Sequence, residues 1–247
     1  MKKKLKVMAL FDVDSPLPAE QDLSLELTTP DWKTEAHVLA ALAERGHTVQ
    51  YLALYDDFDL LRQKVQQFEP DVIFNLADQF RKNRAFDQNI VSYLEMHGIP
   101  FTGCGSVGLT LCKHKGISKK ILGYHRIHVP GFALIPRGQR RVSSRGLRYP
   151  LLVKPLKEEA SLGIAQASLV SDDEQLRERV QFVHEKIEND AIVEEYIEGR
   201  ELYVSLLGNQ RLQVFPIREL VFTNVPADAP KIATYKAKWD EEYRQRW

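Results

Sequence analysis

The sequence predicts an α/β fold whose first half builds a parallel sheet and whose second half builds mostly antiparallel strands. Before residue 111, short apolar strands alternate with amphipathic helices, which is the pattern of a parallel sheet wrapped by helices. From Phe132 onward, strands follow one another with a single clear helix between them. The chain has 247 residues, of which 44% are hydrophobic and 28% charged, enough for one large domain or two modest ones. We expect the domain boundary near Leu111.

The first half contains predicted strands and helices in strict alternation. The strands are expected at residues 6–11, 49–54 and 71–76. The first helix has Thr29 as N-cap and Pro30 at its first position and ends at Gly46, and the next helices cover residues 58–68 and 86–97. Because the carboxyl ends of parallel strands share one edge of a sheet, the loops that follow these strands are expected to form a ligand-binding rim.

The second half opens with a helical region at residues 106–122. A capping box at residues 171–174 starts its clearest helix, and the apolar stripe of that helix consists of Leu176, Val180, Val183 and Ile187. A strand is expected at residues 191–197. Residues 201–207 and 211–217 predict a hairpin that turns at Gly208 and Asn209.

Composition excludes several classes of function. Lys and Arg together number 34, as do Asp and Glu, so no overall attraction to nucleic acid or to an anionic membrane is expected. The two cysteines, Cys104 and Cys112, cannot form a disulfide framework and indicate a reducing compartment. No segment has the apolar length that a bilayer requires, and the basic start lacks a signal-peptide cleavage site. A cytoplasmic protein without nucleic-acid or membrane partners is therefore expected.

The most informative stretch is at residues 149–163. A short apolar strand ends on Lys154, and a polar loop that closes on Gly163 precedes a second apolar run at residues 164–170. A lysine at the end of a buried strand must project into a wet cleft or meet an anion, because an unpaired buried charge is costly. The stretch therefore indicates either a hairpin that folds over a phosphate chain or an ordinary β-hairpin with a solvated lysine.

Three other patterns are weaker signals. The segment GCGSVG at residues 103–108 matches a dinucleotide fingerprint by letter, but a tight turn with Ser106 capping a helix is favoured because the match comes late in the chain. No metal site is expected among four soft ligands that lack the usual spacing, namely Cys112, His114, His125 and His128. A solvated loop is favoured over a polyanion-binding surface for the arginine-rich run, which consists of Arg137, Arg140, Arg141, Arg145 and Arg148.

Acidic residues crowd the segment from Glu194 to Glu201. Successive residues of a strand point to opposite faces of the sheet, so Glu194 or Glu195 must face a polar cleft or solvent. The alternative is that all the glutamates of this segment are solvated edge residues.

Together these segments resemble the ATP-grasp ligases, and in particular their D-alanine–D-alanine ligase-like branch. The resemblance runs from Lys6 to the C-terminus and rests on ordered motifs: YPLLVKP at 149–155, EEASLG at 158–163, IVEEYIEG at 192–199 with Glu201, TYKAK at 234–238, DVIFN at 71–75 and GIPFTG at 98–103. It implies a Rossmann-like (pre-ATP-grasp) N-terminal domain followed by an incomplete ATP-grasp fold. The implied domains are a substrate domain at residues 1–111, the small ATP-grasp lobe at 112–197 and the beginning of the large lobe at 198–247.

The resemblance also implies ATP and Mg²⁺ as cofactors and a role for individual residues. Lys115 and Lys154 would contact the nucleotide phosphates, and the loop from Glu158 to Gly163 would cover the β- and γ-phosphates. Ser161 in that loop and Lys238 near the γ-phosphate would be the catalytic residues.

The base and the sugar of the nucleotide have their own implied partners. Glu194 would accept a hydrogen bond from the adenine amino group, and Tyr196 would lie in the hinge whose backbone contacts the base edge. Glu201 would hold the ribose hydroxyls. Carboxylates suit an amino donor and a diol, and lysines suit phosphates, so the residue types fit these roles.

The implied reaction converts a carboxylate to an acyl phosphate that an amine then attacks, with amino acids or peptides as substrates and a homodimer as a compatible assembly. Residues 12–16 and 77–83 replace two motifs of the branch, so the resemblance does not carry D-alanine over as the substrate. The branch's Mg²⁺ ligands would lie beyond Trp247. The expectation is a ligase fragment or a ligase with a shortened C-terminal lobe. The alternatives are a non-catalytic nucleotide-binding module and, as the weakest hypothesis, a polyanion-binding protein.

Overall fold

The computed structural model of the chain describes residues 3–18, 20–139, 141–223 and 230–246. Arg140, a member of the arginine-rich run, lies outside the described residues. The chain divides into two compact units, Met1–Cys112 and Lys113–Trp247. Among the described helices, none combines the length and the apolar character that a bilayer crossing requires.

A parallel sheet forms the centre of the first unit. Its strands are β1 (Lys6–Asp12), β2 (Thr48–Leu54) and β3 (Val72–Asn75), in the order β2-β1-β3. In register, Val7 lies opposite Val49 on one side and Val72 on the other. Residues 7–11 of the central strand are all buried, as expected for a parallel sheet covered on both faces. The prediction of a parallel α/β arrangement in the first half is confirmed.

Helices follow the strands as the alternation predicts. They are α1 (Lys33–Glu44), α2 (Phe58–Phe68), α3 (Asp87–Met96) and α4 (Ser106–Lys113). Helix α2 has the predicted bounds and is capped by the Asp57 carboxylate, which accepts from the Leu60 amide at 2.9 Å.

The predicted starts of α1 and α4 need correction. A 3₁₀ turn, Pro30–Trp32, precedes α1, and Thr29 donates its hydroxyl to the Glu26 carbonyl instead of capping the helix. Ser106 lies inside α4 and donates both its amide and its hydroxyl to the Glu95 carboxylate. In both cases the hydroxyl donates to an acceptor outside the helix.

An antiparallel sheet forms the centre of the second unit. Its strands are β4 (Phe132–Ile135), β5 (Leu151–Pro155), β6 (Leu169–Val170) and β7 (Ala191–Glu195), in the order β4-β7-β5-β6. Helix α5 (Lys115–Tyr124) precedes the sheet in the chain, and α6 (Asp173–Lys186) packs on it. Three members of the predicted apolar stripe join the sheet in one buried cluster: Ile135, Leu151, Val153, Val170, Leu176, Val180, Val183, Ala191 and Val193. The fourth, Ile187, follows the end of α6 and is not part of this cluster.

Three predictions for the second unit need refinement. The helical region is interrupted at His114, whose Nδ1 accepts from the Ile117 amide at 3.2 Å and caps α5. Helix α6 is capped by Asp172 and not by Ser171, because the Asp172 carboxylate accepts from two amides of the first turn. The strand predicted at residues 164–170 shrinks to β6, since the Ile164 amide donates to the Ser161 carbonyl and its carbonyl accepts from the Tyr235 amide instead of joining the sheet ladder.

A two-stranded ribbon and two short helices complete the described chain. In the ribbon, β8 (Glu201–Tyr203) pairs with β11 (Arg218–Leu220), and β9 (Leu206–Leu207) pairs with β10 (Gln213–Val214), all antiparallel. The predicted hairpin is present, but its connection covers residues 208–212, and its returning chain pairs at 213–214 and 218–220 instead of throughout 211–217. The helices are α7 (Tyr235–Trp239) and α8 (Glu241–Arg246).

Candidate functional site

A buried ion pair joins two neighbouring strands of the antiparallel sheet. Lys154 lies opposite Ile192 in the register, and Leu152 lies opposite Glu194, so Lys154 and Glu194 are diagonal neighbours on one face of the sheet. Their Nζ and Oε2 atoms are 2.9 Å apart. The Glu194 carboxylate is 4% exposed, and the Lys154 side chain is 22% exposed. The predicted lysine at the end of a buried strand therefore meets an anion inside the protein.

Helix α5 brings two further lysines to this pair. Lys115 and Lys119 are four residues apart and therefore share one face of the helix. Lys119 Nζ lies 3.3 Å from Glu194 Oε1, and Lys115 Nζ donates to the Glu158 carbonyl. Lys119 was not identified from the sequence, although its position four residues after Lys115 places both lysines on one face of the helix. We refer to Lys115, Lys119, Lys154 and Glu194 as the lysine cluster.

The cluster is electropositive and contains a carboxylate oxygen that is free to accept a hydrogen bond from a ligand. Burial, and then the nearby positive charge of Lys154, lower the pKa of Lys115 from 10.5 to about 8. The Glu194 Oε1 atom is buried and accepts no hydrogen bond from the described residues, because the approach of Lys119 lacks hydrogen-bond geometry. An anion would therefore relieve the mutual repulsion of the lysines, and a neutral donor would satisfy Oε1.

The loop that follows β5 lies beside the cluster and has well-defined contacts. The Glu158 carboxylate accepts from the Asn189 side-chain amide at 3.1 Å. Ser161 has a left-handed backbone, with φ of 64°, and donates its hydroxyl to the Ala233 carbonyl at 2.7 Å. Gly163 has φ of +70°, and a Cβ atom there would lie 3.0 Å from Pro155 Cγ. The loop thus has a glycine where a side chain would be strained.

The acidic segment after β7 divides its side chains between the two faces, as predicted for a strand. Glu194 points to the lysine cluster, whereas Glu195 accepts from the Arg148 amide at 3.0 Å. The Arg148 contacts hold the pKa of Glu195 below its usual range. The alternative in which all these glutamates are solvated edge residues is wrong for Glu194, because its carboxylate is buried.

Tyr196 and Glu201 lie farther along the same chain segment. The Tyr196 amide donates to the Pro150 carbonyl at 3.0 Å, which holds the backbone after β7 against the segment before β5. Burial, and then the charges of Glu198 and Glu201, raise the pKa of Tyr196. The Glu201 carboxylate accepts from the Tyr203 hydroxyl. The described hydrogen bond of the Glu201 carboxylate is thus with Tyr203 and not with the lysine cluster.

Lys238 lies on α7, which is tied to the loop after β5. Thr234 caps α7 by accepting from the Ala237 amide at 3.1 Å. The indole of Trp239 donates to the Ala160 carbonyl at 3.1 Å, and the Tyr235 amide donates to the Ile164 carbonyl at 3.0 Å. These contacts bring the helix that carries Lys238 against the loop that carries Ser161.

Comparison with known proteins matches this unit to a described family. The family model of the D-ala D-ala ligase C-terminus matches residues 111–246, which is more than half of the chain. A D-alanine–D-alanine ligase of Syntrophotalea carbinolica is 31% identical over 203 residues, which cover 81% of this chain and 60% of that protein. The uncharacterised protein y4sG of Sinorhizobium fredii is 36% identical and covers 85% of this chain and 61% of the relative. The chain therefore spans about three fifths of the length of these curated relatives.

Solved structures share the fold. The D-alanine–D-alanine ligase of Bacillus anthracis complexed with ATP aligns with a TM-score of 0.61 at 21% identity and covers 91% of this chain and 72% of its own. The L-amino acid ligase of Bacillus licheniformis aligns with a TM-score of 0.60 at 18% identity and covers 94% of this chain and 56% of its own. These alignments confirm the predicted α/β fold of the ATP-grasp type. The chain belongs to the D-alanine–D-alanine ligase family of ATP-grasp proteins.

Proposed function

We propose that the chain is part of an ATP-dependent carboxylate–amine ligase of the D-alanine–D-alanine ligase type and carries its nucleotide site. The observation that carries this proposal is the lysine cluster, in which Lys119 and Lys154 contact the buried Glu194 carboxylate and Lys115 interacts electrostatically with Lys154 and Glu194. Family membership and relatives named D-alanine–D-alanine ligase support the reaction class.

The residues of the cluster fit a nucleotide. Lys115 has a lowered pKa because it is buried near a second cation, so a phosphate beside it would restore the stability of its charged form. Glu194 Oε1 is a buried acceptor without a hydrogen bond, and the amino group of an adenine would satisfy it. We assign Lys115 and Lys154 to the phosphates, Glu194 and Tyr196 to the base and Glu201 to the ribose.

The loop and α7 would act on the transferred group. We assign Glu158, Ser161 and Gly163 to the loop that covers the β- and γ-phosphates, and Lys238 to the γ-phosphate, with Ser161 and Lys238 as the catalytic residues. ATP would supply the phosphoryl group that turns a carboxylate into an acyl phosphate for attack by an amine. The chain's own contribution would be to orient the reactants and neutralise charge, with donors that are already fixed before the reaction.

Mg²⁺ is expected for this reaction class, but the described residues do not fit it. No group of three or more His, Cys, Asp or Glu side chains within residues 3–18, 20–139, 141–223 and 230–246 is arranged to hold a metal ion. We therefore assign no metal ligand and derive no step through the ion.

The remaining assignments belong to the same proposal. We propose a substrate domain at residues 1–111, a small lobe at 112–197 and the beginning of a large lobe at 198–247. Amino acids or peptides would be the carboxylate and amine substrates. The cytoplasmic location and the homodimer stay predictions of the sequence.

Calorimetric titration with a non-hydrolysable ATP analogue tests the nucleotide site. Loss of a charge-assisted contact costs on the order of 1.5–3 kcal/mol, so Lys154→Ala should weaken binding by about 10- to 100-fold. Lys120→Ala removes an exposed lysine from α5 and should leave binding unchanged. Equal affinities for all three proteins would refute the assignment.

A second assay separates a ligase from the alternative of a nucleotide-binding module. The chain is incubated with ATP, Mg²⁺ and a panel of amino acids and dipeptides, and ADP is measured. ADP release that depends on an added amino acid would exclude the alternative of a non-catalytic nucleotide-binding module.

A further inference from the structure

Helix α6 carries a charged side chain on its buried face. Arg179 is 8% exposed and lies beside the apolar stripe that packs on the sheet. Its guanidinium stacks on the Phe182 ring at 4.2 Å, and its Nη2 atom donates to the Gly163 carbonyl. Among the residues that the structure describes, none accepts a hydrogen bond from its buried Nε atom and no carboxylate forms an ion pair with it. Burial lowers the pKa of this guanidinium.

Such an arginine is an expensive way to fill this position. A buried charge without a counter-ion is costly, and an apolar side chain of similar volume would pack there at no such cost. What an apolar side chain could not supply is the hydrogen bond to Gly163. That bond is therefore the distinctive contribution of Arg179.

The acceptor of this bond is the last residue of the loop beside the lysine cluster. Gly163 is confined by Pro155 and Ile187, since a Cβ atom would lie 3.0 Å from Pro155 Cγ and 3.1 Å from Ile187 Cγ1. The other end of the loop is held by Asn189, which accepts from the Lys157 amide at 3.2 Å and donates to Glu158 at 3.1 Å. Helix α6 and the turn that follows it thus hold both ends of the loop.

We propose that Arg179 is a positioning residue that fixes the C-terminal end of the loop at residues 157–163 and thereby orients the loop for nucleotide. The predicted effect of Arg179 on nucleotide binding rests on the proposed function. Its predicted effect on the order of the loop can be tested without a ligand. Because the guanidinium contacts the loop at the Gly163 carbonyl, Arg179 acts through Gly163.

The test compares Arg179→Met with Arg179→Lys and with Arg177→Met, which removes an exposed arginine from the same helix. Three quantities are measured for each protein: the unfolding midpoint, hydrogen exchange of the Leu162 and Ile164 amides without ligand, and affinity for a non-hydrolysable ATP analogue. Both amides are bonded within the loop, to the Glu159 and Ser161 carbonyls, and they report on its order.

Arg179→Met should keep or raise the unfolding midpoint, speed exchange of the two loop amides by at least about fivefold and weaken nucleotide binding by about tenfold. Arg179→Lys retains a donor and should restore part of the protection, and Arg177→Met should match the wild type in all three. Unchanged exchange in Arg179→Met, or a lowered midpoint that accounts for the faster exchange, would overturn the proposal.

Failure of the proposed function gives a different result. If the wild type binds no nucleotide, the nucleotide site is wrong, and the anchoring role of Arg179 is then decided by the exchange rates alone.

Discussion

Nucleotide binding should be coupled to protonation of Lys115. In the free protein the pKa of Lys115 is lowered to about 8 by burial and by Lys154. A phosphate beside the ammonium group stabilises its charged form and should return the pKa to about 10 or above. Free Lys115 is then about 90% protonated at pH 7 and about 10% protonated at pH 9, while bound Lys115 stays protonated at both. The affinity should therefore fall about tenfold, or about 1.4 kcal/mol, from pH 7 to pH 9.

Calorimetry measures this coupling directly. At pH 8.5 the free side chain is about one quarter protonated, so binding should take up about 0.7 proton per nucleotide, seen as a dependence of the heat on the ionisation enthalpy of the buffer. Lys115→Arg keeps the positive charge at every pH in this range and should bind with no proton uptake and a flat pH profile. A flat profile in the wild type, or the same uptake in Lys115→Arg, would refute the reasoning.

Three further predictions concern stability. Between pH 8 and 10.5 the unfolded chain keeps the Lys115 proton, whereas the folded chain has lost it because of the lowered pKa. The free energy of unfolding should therefore rise with pH across that window, as measured by urea titration. Lys115→Met should lack this rise. Glu194→Gln leaves two lysines without their counter-ion and should lower the free energy of unfolding by about 3 kcal/mol in urea titrations. Glu195→Gln should change it less, because the partner of Glu195, Arg148, is 88% exposed and can be solvated without it. Gly163→Ala should cost about 2–3 kcal/mol in the same assay, against about 1 kcal/mol for Gly138→Ala, because both glycines have a positive φ but only Gly163 is hemmed in by side chains.

Much of the fold could be predicted because its signals are local. Helix α2 (Phe58–Phe68) has the predicted bounds, since its apolar period and its Asp57 cap are adjacent in sequence. The strand predicted at residues 164–170 was too long, because the Ile164 amide and carbonyl bond to Ser161 and to the distant Tyr235. Apolar composition indicates a strand but does not reveal that its backbone groups are already bonded elsewhere.

The candidate site was predictable in part for the same reason. The structure brings together Lys115, Lys154 and Glu194, which motifs had singled out, and their roles with nucleotide stay predictions. Lys119 was missed because its significance depends on a carboxylate 75 positions later in the chain, at Glu194. Arg179 was missed because a helical pattern ordinarily leaves an arginine in solvent, and its burial follows only from how α6 packs.

The lysine cluster and Arg179 share one physical logic. Each buries a cation where an apolar residue would avoid the free-energy cost of desolvating a charge. In each, neighbouring carboxylates do not fully compensate the positive charge. At Lys115, the charges of Glu159, Glu194 and Glu158 offset only part of the effect of burial and of Lys154. A cation that the protein's own carboxylates do not fully neutralise attracts an anionic ligand strongly, because the ligand supplies the missing negative charge. Burial of the lysine destabilises the ligand-free protein, and the binding of an anion offsets that destabilisation. Substitutions of Lys115 that stabilise the free protein should therefore weaken nucleotide binding.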